Sequence, residues 1–450
     1  MSIKIENNLQ KNQKYVVDII DYGANGEGIA KIDGIVTFVP FAIVGEKVEI
    51  QLILIKKQFV IGKIIKIIRF SEKRVAAPCK YFGKCGGCQL QHMNYYEQLK
   101  LKTDMVKNAI EKYAKVDCEV NGCVASPNQY AYRNKFAFPL YIQDGKICAG
   151  MYRVSSHNIV KIDDCLLQED CKFVLDSFLN FANEQKYEVY SETSKNGLKH
   201  LVVRNNDDGI LVCVVSTQKL HNLKEFATKL QQKYKKMHII NNINRLDNNV
   251  ILGGKDYIVC GSGELEYDEF GIKYQINSHS FLQVNSEIKK LLYSAVLNNI
   301  EEHDVVIDAY SGAGVMSAMI AKKCKQVFGI EIVKEAVRNA DELVKRNKID
   351  NLTNICGDCK VELPVIIAQN KANVVVLDPP RKGCDQKVLE VLLDSEPEKI
   401  IYISCNPATL ARDLKILSSK YLQEKITPYD MFPQTANVET MVVLKKRKNY

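Results

Sequence analysis

Residues 304–324, DVVIDAYSGAGVMSAMIAKKC, decide how the carboxyl-terminal third of this chain folds. Their first part is a short apolar run, which is typical of a buried parallel strand. Gly312 and Gly314 follow, and an apolar segment of helical length comes after them. Glycines at such a strand-to-helix turn allow the backbone to approach a ligand at the carboxyl edge of a sheet. Because Gly-x-Gly is also common in ordinary turns, the neighbouring strands have to support this interpretation.

Three more short apolar runs follow along the chain, and helical sequence separates them. The runs are QVFGIEI at 326–332, NVVVLDPP at 373–380 and KIIYISC at 399–405. Strands that alternate with helices in this way predict a doubly wound parallel sheet, which is the core of a Rossmann-like α/β domain. We place this domain at residues 276–450.

Acidic residues stand where the predicted strands of this domain end. Glu331 ends the second strand, Asp358 lies in the next loop, and Asp378 ends the fourth strand. An acid at the end of the second strand is placed to accept hydrogen bonds from ribose hydroxyls. Together the loops predict a cofactor site without the full G-x-G-x-x-G pattern of dinucleotide-binding folds. The alternative for Glu331 and Asp358 is that they are ordinary solvated acids.

Cysteines occur at two places along this predicted sheet edge. Cys356 and Cys359 form a C-x-x-C around Asp358, which we interpret as incidental rather than redox-active or metal-binding. Cys405 ends the last apolar run and directly precedes a predicted helix. A thiol at a helix N-terminus can have a lowered pKa, which favours a nucleophile. The alternative for Cys405 is an ordinary buried core cysteine.

Several longer motifs in this domain occur in the order that is typical of one known family. They are SFLQVN at 280–285, DPPRKG at 378–383, SCNPATLARD at 404–413 and DMFPQTANVETMVVL at 430–444. With VVIDAYSGAGVMS and GIEIVKEAVRNA, they make the chain similar to the RNA uracil-5-methyltransferase family over nearly its whole length. The resemblance implies an enzyme that methylates carbon 5 of a uridine with S-adenosylmethionine.

The resemblance also implies roles for individual residues. Carbon 5 of uracil is a poor nucleophile, and attack of the Cys405 thiolate on carbon 6 makes carbon 5 reactive. Glu439 then removes the carbon-5 proton as a general base, although a surface acid is the ordinary interpretation of such a residue. Gln434 and Asn437 depart from the family, which commonly has histidines there. Contacts to the cofactor or the reacting base are expected from Gln283, Tyr310, Glu331 and Asp378, and a contact to adenine from Asp358.

A second group of cysteines lies far from this domain, in the segment CKYFGKCGGCQLQH that begins at Cys79. Cys79, Cys85 and Cys88 have the spacing C-x5-C-x2-C. Cys165 is the candidate fourth thiolate, and Cys171 is its nearest competitor. Spacing alone allows structural zinc as well as an iron–sulfur cluster. The family resemblance favours a [4Fe-4S] cluster on the first three cysteines and Cys165.

The amino-terminal segment 8–67 has strand composition throughout. Glycines punctuate β-branched runs, and KVEIQLILI alternates with period two, which predicts a small β-barrel. The sequence GEGIAKIDGIVTFVPFAIVGE resembles a TRAM domain, an OB-like barrel that binds RNA. A central α+β domain, 68–275, carries the cysteine segment and Arg133, Asn134 and Lys135 as a further candidate RNA contact. Positive charge near the barrel surface, which a merely solvated face would also show, comes from Lys56, Lys57, Lys63 and Lys66.

Composition sets wider limits on the class of protein. Lysine and arginine number 62 against 53 acids, so the net charge is +9, a weak indication of nucleic-acid binding. The amino-terminal residues are polar and no run of about 18 apolar residues exists, so we expect neither a secretory leader nor a membrane span. The 15 cysteines then belong to a reducing cytoplasm.

The combination of a barrel and a cysteine cluster favours one branch of the family. It resembles enzymes that modify 23S ribosomal RNA, so the expected partner is a single-stranded or looped part of that RNA, bound by a monomer. The runner-up is a transfer-RNA uracil-5-methyltransferase. A non-catalytic RNA-binding iron–sulfur protein is the alternative from another class, and Cys405 with Glu439 argues against it. A radical methylthiotransferase would need C-x3-C-x2-C, which the sequence lacks.

Overall fold

The computed structural model describes residues 9–116, 119–154, 156 and 158–448. The first residue of the predicted barrel segment and the last two residues of the predicted catalytic segment lie outside the described residues. Within the described part, the chain forms four β-sheets and nine α-helices. None of these helices has the length and the apolar composition that crossing a bilayer requires.

The amino-terminal unit is a rolled sheet of six strands. They are β1 Lys14–Asp18, β2 Asp21–Tyr22, β3 Gly28–Ile32, β4 Ile35–Val39, β5 Lys47–Ile55 and β6 Phe59–Arg69, in the order β1-β5-β6-β4-β3-β2. The predicted period-two alternation in β5 is confirmed, because Val48, Ile50 and Leu52 are fully buried in the barrel core. The Ile20 N–H donates to the Ile29 carbonyl at 2.8 Å, which brings the two ends of the sheet together.

The central part begins with a helix and continues as a mixed sheet. Helix α1 Tyr95–Ala109 starts at Asn94, whose side chain accepts the Glu97 N–H, and it ends in a π-helical turn at Ile110–Ala114. The sheet order is β13-β12-β11-β10-β7-β8-β9. Its elements are β7 Lys135–Gln143, β8 Lys146–Tyr152, β9 Ile159–Lys161, α2 Cys171–Glu184, β10 Leu198–Asn206, β11 Gly209–Ser216, the 3₁₀ turn Leu223–Glu225, α3 Phe226–Leu230, β12 Lys236–Ile243 and β13 Lys255–Cys260.

The carboxyl-terminal part is the predicted doubly wound domain. It follows a two-stranded hairpin, and its sheet order is β18-β17-β16-β19-β20-β22-β21. The first five strands are parallel, whereas β22 is antiparallel to both of its neighbours. The elements are β14 Leu265–Glu269, β15 Ile272–Ile276, α4 Ser286–Leu297, β16 Val305–Ala309, α5 Val315–Ala321, β17 Gln326–Glu331, α6 Lys334–Asn347, β18 Leu352–Cys356, α7 Cys359–Asn370, β19 Val374–Leu377, α8 Gln386–Ser395, β20 Lys399–Ser404, α9 Pro407–Leu417, β21 Tyr421–Tyr429 and β22 Glu439–Lys446.

Two segments that precede residue 276 pack against this catalytic sheet. Val106 and Ile110, from α1 and its π-helical turn, lie in one hydrophobic cluster with Leu410 of α9. Ile272 of the hairpin shares another cluster with Val306 of β16. The central part therefore braces the catalytic domain from two sides, and this contact positions the site described next.

Candidate active site

A cavity of about 1180 Å³ opens at the carboxyl edge of the catalytic sheet. The chain reverses its winding direction between β16 and β19, and such a switch point leaves a crevice in doubly wound sheets. Parallel strands end at one edge, so loops that are far apart in sequence meet there. Of the residues predicted for the site, those that line the cavity are Gln283, Tyr310, Glu331, Asp378, Cys405 and Glu439.

The glycine turn after β16 and the acid after β17 form one wall of the cavity. The Glu331 carboxylate accepts the N–H groups of Gly312 at 3.1 Å and Val333 at 2.8 Å, which fixes its orientation. Gly312 has a φ of 56°, and a side chain there would meet no atom within 4 Å. The turn thus leaves open space beside an oriented carboxylate, an arrangement that fits the ribose of an adenosyl cofactor.

Two further acids lie at the bottom of the cavity. Asp308 in β16 is buried and accepts a hydrogen bond from the Ser317 hydroxyl. Burial raises the pKa of Asp308 to about 6. Asp378 directly follows β19, and its exposed side chain lines the cavity. Desolvation, and then the negative charge of Asp308, raise the pKa of Asp378.

Cys405 lies between β20 and α9, as the sequence predicts. Asn406 caps α9, since its side chain accepts the Ala408 N–H at 3.1 Å. The Asn406 amide and the Thr409 hydroxyl both donate to the Arg381 carbonyl, at 3.2 and 3.3 Å. These bonds tie the loop after β19 to the start of α9 and hold Cys405, which is half-buried, at the cavity wall.

The expected lowering of the Cys405 pKa by the helix terminus is not observed. Desolvation, the nearby Glu439 and Asp378 raise the pKa of this thiol, and together they outweigh the positive charge of Arg381. The thiol is therefore mainly protonated at neutral pH when the cavity holds only water. The position of Cys405 at a helix terminus did not indicate a raised pKa, because Glu439, which opposes the thiolate, comes from another strand.

Glu439 begins β22 and is only 4% exposed, so it is not a surface acid. Antiparallel pairing sets Ser404 opposite Thr440, which makes Cys405 and Glu439 neighbours across the two strands. Desolvation and then Asp378 raise the pKa of Glu439 to about 8, against the opposing effect of Arg381. A carboxyl whose pKa is near neutrality and which faces a cavity is suited to general acid–base chemistry.

Gln283 reaches the cavity from the loop before α4, and the central domain holds that loop in place. The Asn134 side chain donates to the Gln283 carbonyl at 3.0 Å and to the Ser286 hydroxyl at 3.1 Å. The Asn134 N–H also donates to the Val284 carbonyl at 2.9 Å. Asn134 is thus buried and used internally, which speaks against the predicted RNA contact for this one residue of the three.

Asp358 is not among the residues that line the cavity. It caps α7, accepts the Lys360 N–H at 3.1 Å, and forms an ion pair with the Lys360 side chain at 2.9 Å. Cys356 is exposed and Cys359 is buried, and both are free thiols. The interpretation of this C-x-x-C as incidental stays a prediction.

The segment that leads to Glu439 rests on α1 through a buried polar network. The Lys102 ammonium donates to the Asp430 carboxylate and, at 3.1 Å, to the Phe432 carbonyl, and both members of this ion pair are fully buried. The Gln98 side chain also donates to the Gln434 side-chain carbonyl at 3.0 Å and accepts the Gln434 backbone N–H at 3.1 Å. Gln434 is thus a structural residue, whereas Asn437 lines the cavity.

The amino-terminal cysteine segment is attached to the same loop. The N–H groups of Gln89 and Leu90 both donate to the Gln434 carbonyl at 3.0 Å. The Cys88 thiol lies within electrostatic reach of Cys79, Cys85 and Cys165, and burial, the largest effect, raises its pKa to about 12. Among the described residues, no three histidine, cysteine or acidic side chains are arranged around a point that could hold a single metal ion.

One thiol of this segment also receives a backbone hydrogen bond. The Gly87 N–H donates to the Cys85 sulfur at 3.4 Å. Cys171, the competitor of Cys165, lies instead in the core of the central sheet with Phe178. The arrangement therefore favours Cys165 as the fourth member of the group.

The predicted barrel lysines are exposed. Lys56, Lys57, Lys63 and Lys66 have no ion-pair partner within the described part of the chain. Two other groups at the cavity were not predicted from the sequence. Asp256 of β13 pairs with His279 at 3.2 Å on the cavity wall, and it comes from another domain, so no local pattern indicated it. Arg381 lies in the recognised DPPRKG motif, but its charge next to Cys405 and Glu439 is visible only in three dimensions.

Comparisons with known proteins decide between the families that this geometry allows. A family model described as tRNA (uracil-5-)-methyltransferase matches residues 94–447, and a TRAM model matches residues 9–65. The chain belongs to the uracil-5-methyltransferase family. It is an S-adenosylmethionine-dependent RNA methyltransferase with an amino-terminal TRAM domain, and the non-catalytic alternative is wrong.

Relatives of this uracil-5-methyltransferase extend over its whole length. An RNA methyltransferase of Clostridium tetani is 38% identical and covers 97% of both chains, and one of Staphylococcus aureus is 35% identical over 97% of this chain. The structure is similar to that of a Pyrococcus abyssi tRNA (uracil-54, C5)-methyltransferase in complex with S-adenosyl-L-homocysteine. That protein is 26% identical, with a TM-score of 0.77 over 95% of this chain and 99% of its own.

Proposed function

We propose that this uracil-5-methyltransferase acts on a uridine of 23S ribosomal RNA. The TRAM barrel together with four neighbouring thiols carries the proposal, since this combination resembles the 23S branch of the family. The target uridine lies in a single-stranded or looped segment, because a base must leave its stack before a half-buried thiol can reach it. The enzyme works as a monomer in the cytoplasm.

Cys405 is the nucleophile of the proposed reaction. Its sulfur forms a bond to carbon 6 of the uracil, and the electrons of the carbon 5–carbon 6 double bond move into an enolate. Carbon 5 then has the electron density to accept a methyl group. The Arg381 side chain lowers the pKa of Cys405, so it favours the thiolate that this step requires.

Glu439 is the general base. It removes the proton from the methylated carbon 5, the double bond forms again, and the Cys405 sulfur leaves carbon 6. A pKa of about 8 keeps part of Glu439 ionised at neutral pH and makes it basic enough to take this proton. Burial and the neighbouring Asp378 thus prepare the carboxylate for the last chemical step.

The cofactor binds against one wall of the cavity. This wall is formed by Tyr310, Glu331, Asp378 and Gln283. S-adenosylmethionine supplies the methyl group, as a sulfonium, when it is bound. Glu331 is held by two backbone N–H groups and accepts the ribose hydroxyls. The proposed adenine contact of Asp358 is the least supported of these assignments, since its helix-capping contacts account for the residue without a ligand.

Cys79, Cys85, Cys88 and Cys165 hold a [4Fe-4S] cluster in this proposal. Each thiolate of such a cluster binds a different iron, so the sulfurs lie farther apart than around a single ion. The Cys88 thiol lies within electrostatic reach of Cys79, Cys85 and Cys165, which supports a shared site. The backbone N–H bond to Cys85 is of the kind that stabilises cluster sulfurs. The cluster has a structural role, because its segment supports the loop of Gln434.

A transfer RNA is the second candidate substrate, and one observation favours it. The Pyrococcus abyssi tRNA enzyme aligns over 95% of this chain, and the remaining 5% is shorter than the TRAM match at residues 9–65. An enzyme that aligns with nearly the whole of this chain therefore acts on a tRNA. This weakens the argument for 23S RNA from architecture alone.

The deciding experiment maps 5-methyluridine in both RNAs. Ribosomal and transfer RNA from a strain that lacks this gene are digested, and the fragments are analysed by mass spectrometry. We expect a 23S fragment to lose its methyl group and to regain it with the wild-type gene but not with Cys405→Ala. Loss confined to tRNA selects the second candidate. Unchanged methylation of both RNAs contradicts the two candidates together.

A further inference from the structure

A basic and aromatic surface lies on the central domain, just outside the cavity. Its centre is Tyr257 on β13, which is the edge strand of the central sheet. The ammonium groups of Lys219 and Lys255 lie 5.2 and 4.8 Å from the centre of the Tyr257 ring. One tyrosine ring therefore carries two cations from different segments of the chain.

A third cation strengthens the positive potential around this ring. A hydrogen bond from Lys255, and then the charges of Lys255, Lys219 and Arg245, lower the pKa of Tyr257. Within the described part of the chain, Lys219, Arg245 and Lys255 form no ion pair, although lysines elsewhere on the domain do. Exposed cations without acidic partners form a surface that is complementary to a polyanion.

The surface continues through the loop that contains Arg245. In the same loop, Asp247 accepts hydrogen bonds from Tyr190 at 2.9 Å and Lys195 at 2.6 Å. The Lys199 ammonium lies 4.6 Å from the centre of the Tyr190 ring. A second aromatic ring with lysines thus contacts the loop that contains Arg245. We call the exposed set the Tyr257 surface: Tyr190, Lys195, Lys219, Arg245, Lys255 and Tyr257.

Strand β13 connects this surface to the active site. Successive side chains of a strand point to opposite faces, so Asp256 points away from Lys255 and Tyr257. Gly254 and Asp256 line the cavity, where Asp256 pairs with His279. A bound polymer that leaves the cavity therefore has to cross only one β-strand, β13, to reach the Tyr257 surface.

We propose that the RNA next to the target uridine docks on the Tyr257 surface. Lys219, Arg245 and Lys255 bind phosphates, and one unpaired base stacks on the Tyr257 ring. The base displaces a lysine from the ring face, and that lysine moves onto a phosphate. This inference rests on the proposed function, because it takes the substrate to be an RNA with an unpaired target. It adds a contact region outside the cavity and outside the TRAM barrel.

The test compares two triple variants that lose the same charge. Lys219→Ala/Arg245→Ala/Lys255→Ala removes the three unpaired cations. The control, Lys172→Ala/Lys229→Ala/Lys236→Ala, removes lysines that pair with Asp176, Glu184 and Asp208 on the same domain. The probe is a fluorescein-labelled oligouridylate of about 20 nucleotides, longer than a typical single-strand site. Fluorescence anisotropy gives its Kd between about 50 and 200 mM salt.

We expect the first variant to bind the probe about tenfold or more weakly. The slope of log affinity against log salt should fall by about 2, since each single-strand phosphate contact contributes about 0.7. The control should stay within about twofold of the wild type in affinity and keep its slope. Calorimetric binding of S-adenosylhomocysteine, unchanged in both variants, shows that the cavity is folded.

A second pair of variants separates stacking from charge. Tyr257→Leu should weaken binding about fivefold or more with an unchanged salt slope, whereas Tyr257→Phe should bind like the wild type. The proposal is overturned if the first triple variant keeps wild-type affinity and slope, or if both triple variants weaken binding equally. These outcomes are independent of the proposed function. The proposed function fails instead if a strain that lacks the gene keeps unchanged 5-methyluridine in its RNA.

Discussion

The molecule places its cysteines in two contrasting environments. Cys405 is a solitary half-buried thiol at a cavity wall, with an arginine and a glutamate as its neighbours. Cys79, Cys85, Cys88 and Cys165 lie in loops within electrostatic reach of one another, and the Cys85 sulfur accepts a backbone N–H. A thiol beside one acid and one cation is suited to proton-coupled covalent chemistry, whereas thiols beside one another are suited to metal. The neighbours, rather than the residue type, distinguish the two roles.

The first prediction removes the sulfur from the first environment. Cys405→Ala should lower methylation by at least about 10⁴-fold, because among the described residues Cys405 is the one thiol that lines the cavity. RNA with 5-fluorouridine at the target should form a covalent complex with the wild type and none with the variant, as denaturing gels will show. Cys356→Ala, which changes an exposed thiol outside the cavity, is the control and should retain activity. An adduct formed by Cys405→Ala would contradict the assigned nucleophile.

The second prediction separates the base from the nucleophile. Glu439→Gln should lower turnover by about 10²–10⁴-fold, since proton removal is lost while addition and methylation persist. The methylated RNA should then remain attached to Cys405 in a complex that survives denaturation. Mass spectrometry of that complex should find the extra methyl group. A variant that turns over slowly without any accumulated complex would place proton removal elsewhere.

The third prediction uses the raised pKa of Glu439. The base acts when deprotonated, and its pKa is about 8, so kcat should rise about tenfold per pH unit below pH 8 and level off above it. The raised pKa of Cys405 adds to the same direction of change. Because Asp378 raises the pKa of Glu439, Asp378→Asn should move the normalised pH profile to lower pH. A profile that falls with rising pH in this range would contradict the assignment.

The fourth prediction tests the second environment. Cys165→Ser should lose the iron and the brown colour of anaerobically purified protein and give several-fold less soluble protein, because a cluster ligand is removed. Cys171→Ser is the matched control, since Cys171 lies in the sheet core and should leave the iron content unchanged. Iron and sulfide are measured chemically. If the wild-type protein is colourless and active and contains stoichiometric zinc, the cluster assignment is wrong and the site binds zinc.

Local sequence predicted what depends on neighbours along the chain. The alternating residues of β5 and the strand ends at Glu331, Asp378 and Cys405 lie where their patterns indicate. Each of these features follows from strand periodicity or from the shared edge of parallel strands. The doubly wound sheet followed for the same reason.

Features that depend on distant partners were not predictable. Desolvation, and then Glu439 from another strand, raise the pKa of Cys405, which is opposite to the expected effect of the helix terminus. Asp256 reaches the cavity from the central domain, and Lys102 meets Asp430 across 328 residues of sequence. No pattern of neighbours encodes such contacts, since they exist only after the domains pack.

The hydrogen bond between Gln98 and Gln434 spans 336 residues, and this separation sets an order of assembly. The ribosome makes about 5–20 residues per second, so roughly 20–70 s pass between the synthesis of its two partners. During this interval the Gln98 side chain lacks its Gln434 partner and is hydrated instead. The loop of Glu439 docks last, after almost the whole chain has emerged. The catalytic centre can therefore be completed only after the segment that carries Gln434 and Glu439 has been made.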